Sequence, residues 1–123
     1  MFLVETDSSK RLVVISVAGE VTAEEARDTA HRVREILQEI APGFAALTDF
    51  RWLESMAAEA APFVAEIMDA LAAKKVSAVV RVMPDPHKDI GLNILSQFHY
   101  GPEIRVMTFE TLADAVQSLA GES

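Results

Sequence analysis

Four times along this chain an apolar run rich in β-branched residues gives way to a stretch whose apolar positions recur at helical spacing. That alternation restricts the fold more than any other feature, because strand–helix repeats bury their apolar faces as a largely parallel sheet with right-handed crossovers. The first run, Leu12–Ala18, is preceded by Phe2–Glu5, and the polar patch Thr6-Asp-Ser-Ser-Lys-Arg11 between them predicts a hairpin. Gly19-Glu-Val-Thr22 ends the second strand. Thr22 with Glu25 has capping-box spacing, and Ala26, Ala30, Val33, Ile36, Leu37 and Ile40 follow on one helical face until Pro42-Gly43.

Phe44–Phe50 lacks alternation and reads as a strand covered on both faces. The next helix extends to about Ala73, with Pro62 in its first turn, where its missing N–H costs nothing. Its apolar face is Phe63, Val64, Ile67, Met68 and Leu71. Val76–Met83 is the most strand-like segment of the chain. After the polar loop Pro84-Asp-Pro-His-Lys-Asp89, a short helix is expected through Ile90, Ile94, Leu95 and Phe98, with Asp89 as its cap. Ile104–Phe109 is the last strand, and Thr111 caps a final helix through Leu112, Ala115, Val116 and Leu119. The order is ββαβαβαβα: an α/β fold with a mixed, mostly parallel sheet flanked by helices, as one domain over residues 1–123.

Composition narrows the function. Eleven basic residues against nineteen acidic ones leave a net charge of −8, with no basic cluster denser than Lys74-Lys75 or Arg32/Arg34. Such a chain repels phosphate backbones and anionic membrane surfaces, which argues against nucleic acid as a partner. There is no cysteine, hence no disulfide or thiolate site. The N-terminus lacks a signal-peptide pattern, and Ile90–Pro102, the longest run free of charged residues, is too short and polar to span a bilayer. A cytoplasmic location is the expectation.

Catalytic signatures are missing: the chain contains no glycine-rich phosphate loop, HExxH or GxSxG pattern. His31 lies beside Arg32 and Arg34, away from the apolar stripe, as a solvated residue would. Asp85, His87 and Asp89 form the densest set of metal-ligand types, and Asp85 with His87 the one acid–base pair to weigh for a hydrolase. Three polar residues in a proline-bounded turn are more often ordinary loop, so no metal, no cofactor and no catalytic residue is assigned. Asp49 closes a parallel strand at the end where open α/β sheets place ligands, and Arg51 lies within reach of it or of an anionic ligand. Trp52, Leu53 and Met56 then fall in a turn, where packing onto the core is the plainer role and an exposed partner surface the sharper one.

The motifs Val17-Ala-Gly-Glu-Val-Thr22, Leu47-Thr-Asp-Phe-Arg51, Val80-Arg-Val-Met-Pro84, and Lys88-Asp-Ile-Gly-Leu92 with His99-Tyr100 resemble the STAS domain family. Specifically they resemble its SpoIIAA-like, anti-sigma factor antagonist-like branch of small bacterial proteins, and the element order matches over essentially the whole chain. Members that act as phospho-switches carry an acidic residue, Ser-Ser or Ser-Thr, and Gly at the start of the second helix. This chain has Ala57, Ala58, Glu59 and Ala60 there. Alanine accepts no phosphate, so no phosphorylation site is expected; Ser55 reads as a helix cap, and Glu59 as a first-turn acid favoured by the helix dipole or as a fixed mimic of phosphate. The resemblance implies a non-catalytic regulatory or protein-interaction module, with a protein partner or a homodimer. Its binding residues are expected among Asp49, Arg51, Trp52, Glu59, His99 and Tyr100. The alternative is a carrier or sensor of a small hydrophobic, lipid-like ligand, because the branch is similar to lipid-binding folds and the Ile94, Leu95, Phe98 region is apolar.

Overall fold

The computed structural model describes residues 1–85, 93–97 and 99–121. Strands β1 (Phe2–Asp7) and β2 (Leu12–Val21) form the expected hairpin, followed by α1 (Ala23–Leu37) and β3 (Ala45–Met56). A 3-10 turn (Ala58–Ala60) leads into α2 (Ala61–Ala73), then β4 (Ala78–Val82), a helical stretch α3 (residues 93–97), β5 (Arg105–Phe109) and α4 (Leu112–Gly121). One five-stranded sheet runs in the order β1-β2-β3-β4-β5. β1 pairs antiparallel with β2, and every other pairing is parallel.

The local signals act as the residue types dictate. Thr22 Oγ1 accepts the Glu25 N–H at 3.1 Å at the start of α1, and Thr111 Oγ1 accepts the Asp114 N–H at 3.2 Å at the start of α4. Pro62 lies in the first turn of α2. Two expectations fail at one place. β3 continues through Met56 instead of ending at Phe50, because β2 is longer than expected and runs alongside it to the pair Val21↔Met56. Ser55 is therefore a strand residue opposite Glu20, and Ala57 occupies the cap position without a side-chain hydrogen bond. Two register shifts, one between Ser16 and Ala18 and one between Gly19 and Glu20, absorb extra β3 residues, and Gly19 takes φ 70° at the second. β4 accompanies β3 only as far as the pair Asp49↔Val82.

Each crossover moves one strand further in the same direction, so right-handed connections place their helices on one face. That inner face carries the larger core, in which Val13, Ile15, Val17 and Phe44 pack against Val33, Ile67 and Leu71 of α1 and α2. The outer face has a smaller cluster of Leu47, Val80, Val82 and Ala115, with α4 lying over β3, β4 and β5. No helix among the described residues is long and apolar enough to cross a membrane.

Candidate functional site

Asp49 and Arg51 lie two apart on β3, on the outer face, at the level where β4 stops. The Arg51 guanidinium clamps the Asp49 carboxylate from Nε (3.0 and 3.2 Å) and Nη2 (2.9 Å), and the Arg51 backbone N–H donates a further bond at 3.0 Å. Burial pushes the Asp49 carboxyl up, but the hydrogen bonds from the Arg51 side chain and backbone, with its positive charge, outweigh burial and hold it below the usual carboxylate value. The same guanidinium lies over the Trp52 ring, 5.5 Å from its centroid.

Trp52 is 65% exposed, so it does not anchor the segment in the core. The first register shift explains this: it places Leu53 inward, where it is buried in the main core, and turns Trp52 out beside its β2 partner Ala18. Asp49, Arg51 and Trp52 thus form one fixed corner, a guanidinium held between a buried carboxylate and an exposed indole.

The other expected site residues are not part of it. Glu59 is exposed in the 3-10 turn before α2, on the inner layer. His99 Nδ1 lies 2.6 Å from Asp69 Oδ1 of α2, tying the segment after α3 to that helix. Tyr100 is buried beneath α2, and burial, foremost, pushes its hydroxyl well above the ordinary tyrosine value. Asp85 is exposed, whereas His87 and Asp89 lie outside the described residues. Among the described residues no group of three His, Cys, Asp or Glu side chains gathers as a metal site. His31 is exposed on α1, its Nδ1 3.2 Å from Arg34 Nη2.

Tyr100 also lines a cavity of about 40 Å³ between the sheet and α2, walled by Ile15, Val17, Met68 and Leu71, with Thr48 and Arg81 at its polar side. Arg81 was not among the expected site residues. It is 1% exposed, and its Nη1 donates to Asn93 Oδ1 at 2.9 Å. The available signal was a lone charge inside the apolar run Val79-Val80-Arg81-Val82-Met83.

No protein-family model matches the chain, and no curated protein matches its sequence. Solved structures do match in shape. An uncharacterised protein of the DUF3478 family with a SpoIIAA-like fold, from Shewanella loihica, superposes with TM-score 0.72 at 18% identity, over 97% of this chain and 92% of its own. The anti-sigma factor antagonist SpoIIAA in its unphosphorylated form gives 0.69 at 19% identity, over 98% and 99%. An anti-sigma factor antagonist from Mycobacterium paratuberculosis gives 0.61 at 22% identity, over 98% and 93%. Together with the strand order and the helices on both faces of the sheet, these likenesses show that the chain has a SpoIIAA-like fold.

Proposed function

We propose that this protein is a non-catalytic interaction module of the regulatory kind, binding a protein partner through the Asp49–Arg51–Trp52 corner. The observation that carries the reading is the state of Trp52: a large apolar side chain, mostly in solvent, yet held in place by a guanidinium that is itself clamped by a nearly buried carboxylate. Aromatic and arginine side chains dominate the energetics of protein interfaces, and a fixed one loses little conformational entropy on binding. Two of the structural relatives are anti-sigma factor antagonists, which is consistent with a regulatory role. With Ala57 and Ala58 at the family's phosphorylation position, binding here is independent of a phosphoserine at that site.

The test is quantitative affinity capture from native extract with wild-type and Trp52→Ala baits. The expected result is a partner recovered by the wild type and reduced at least tenfold by the variant. If every captured protein is recovered equally by both baits, the reading is wrong.

The apolar-ligand alternative has one observation of its own, the cavity under α2. At about 40 Å³ it admits a group of a few heavy atoms, less than an acyl chain needs. Native mass spectrometry separates the two: an added ligand mass on gently purified protein favours the carrier, and a bare chain favours the interaction module.

A further inference from the structure

The sequence of β2 and its surroundings disagree. Leu12-Val-Val-Ile-Ser-Val-Ala18 is apolar on both faces except at Ser16, close to the pattern of a strand covered above and below, whereas a strand with one wet face alternates. Its inward residues Val13, Ile15 and Val17 are buried. The outward ones, Leu12, Val14, Ser16 and Ala18, are only half-buried, although Leu12 and Val14 pack on one side against the outer cluster. β4, by contrast, is buried at every position. The cause is the topology described above: the crossover helices occupy the inner face, and α4 covers the outer face over β3 to β5. Beside Val14 and Ser16, the outward face of β1 offers Leu3, 54% exposed, and at the far end Ala18 pairs with Trp52.

We infer that this strip, floored by Leu3, Leu12, Val14, Ala18 and Trp52, docks a basic amphipathic helix of a partner protein, lying on the outer face beside α4. The inference rests on the interaction reading and names the chemistry of the partner. Two strands about 4.8 Å apart present a strip roughly 10 Å wide, the diameter of one helix with its side chains. Leu12 to Ala18 at about 3.3 Å per residue gives roughly 20 Å, or about four helical turns. The rim supplies the charge preference. Glu5 and Asp7 stand on the outward face of β1 opposite Val14 and Leu12, and Glu20 lies beyond Ala18; among the described residues the cations at the Trp52 end, Arg51 and the Met1 ammonium, are paired with Asp49 and Glu25. A second copy of this chain would bring the same acidic rim against itself, in a molecule of net charge −8, which disfavours self-association there.

Trp52 is the sole tryptophan and reports on the strip directly. The probe is a tryptophan-free 18-residue amphipathic helix with leucine on one face and lysine on the other, against a matched peptide carrying glutamate in place of lysine. The lysine peptide is expected to blue-shift Trp52 emission, with affinity that falls as salt is raised. That affinity should drop at least tenfold in Leu3→Glu and in the double variant Glu5→Lys/Glu20→Lys. The control pair Asp28→Lys/Glu39→Lys, on and just beyond α1, should leave it within twofold. Equal binding of both peptides, no response to either, or equal losses in the rim and control variants overturns the inference. So does a blue shift that grows with protein concentration alone, which would make a second copy the occupant. The two readings fail separately: partner capture that depends on Trp52 but survives Leu3→Glu and the rim reversal leaves the interaction module standing without this docking mode.

Discussion

Replacing Arg51 with methionine tests the logic of the site, because it removes the cation while keeping an apolar stem beside Trp52. Asp49 retains about a tenth of its side-chain exposure and Arg51 about a third, at 10% and 33%. An exposed pair contributes roughly 0–1 kcal/mol, whereas stripping one partner from a buried pair costs about 3–5 kcal/mol. The geometry lies between these limits, so Arg51→Met should lose about 2 kcal/mol at pH 7. With an unfolding entropy of roughly 2.1 cal/mol/K per residue, that is a fall of about 8 °C in Tm. The pH dependence identifies the cause. In the wild type the folded Asp49 carboxyl lies below its unfolded value, so its contribution is present above the ordinary carboxylate range and disappears as pH falls through the folded value. In the variant burial opposes only the remaining backbone bond, and the folded value rises above the unfolded one. The resulting penalty at neutral pH lifts as pH falls through that raised value. Urea denaturation of both proteins from pH 7 to pH 3.5 should therefore show the gap closing toward acid. A variant within 0.5 kcal/mol of wild type at pH 7, or a gap that does not change with pH, refutes the description of Asp49 as a buried carboxylate held ionised by Arg51.

Three further outcomes follow from single residues. Acrylamide should quench Trp52 nearly as well as free tryptophan, and Trp52→Ala should change stability by less than about 0.5 kcal/mol in urea, since the ring supports little of the core. Tyr100, the only tyrosine, should stay protonated on titration past its ordinary value of 10.0. Because its folded value is raised, stability is lost as pH climbs above the unfolded value, and the tyrosinate absorbance should rise together with loss of far-UV circular dichroism; absorbance rising while the fold persists contradicts the buried placement. Phe44→Ala, at a side chain with 0% exposure in the main core, should cost about 3–5 kcal/mol in equilibrium unfolding.

What the sequence discloses divides by the range of the interaction that fixes each feature. Thr22, Thr111 and Pro62 act within one helical turn, and each does in the structure what its residue type implies. The Asp49–Arg51 pair was also legible as opposite charges two residues apart at a strand end, and the longer β3 places both on one face. The end of β3 was not. Arg51-Trp-Leu-Glu-Ser55 shows no period of two because two register shifts interrupt it, and only the extra length of β2 keeps that segment extended. The tie between His99 and Asp69 joins residues thirty apart through the packing of α2, which no local pattern encodes. Exposure of Trp52 depends on the phase of a register shift and on the reach of α4, both properties of the assembled sheet.

The same assembled sheet separates two features that the sequence places within ten residues of each other. Ala57, Ala58 and Glu59 belong to the turn that opens α2, whose apolar side packs on the inner core. Asp49, Arg51 and Trp52 belong to the opposite, outer face, where α4 leaves β1 and β2 half-covered. A phosphate at the turn and a partner on the outer face would therefore act on different sides of the sheet. Ala57 and Ala58 carry no hydroxyl, and neither takes part in the contacts among Asp49, Arg51 and Trp52. If the proposed binding at the outer face occurs, it should weaken with salt, which screens Glu5 and Glu20, and change as acid protonates Asp49 and frees Arg51.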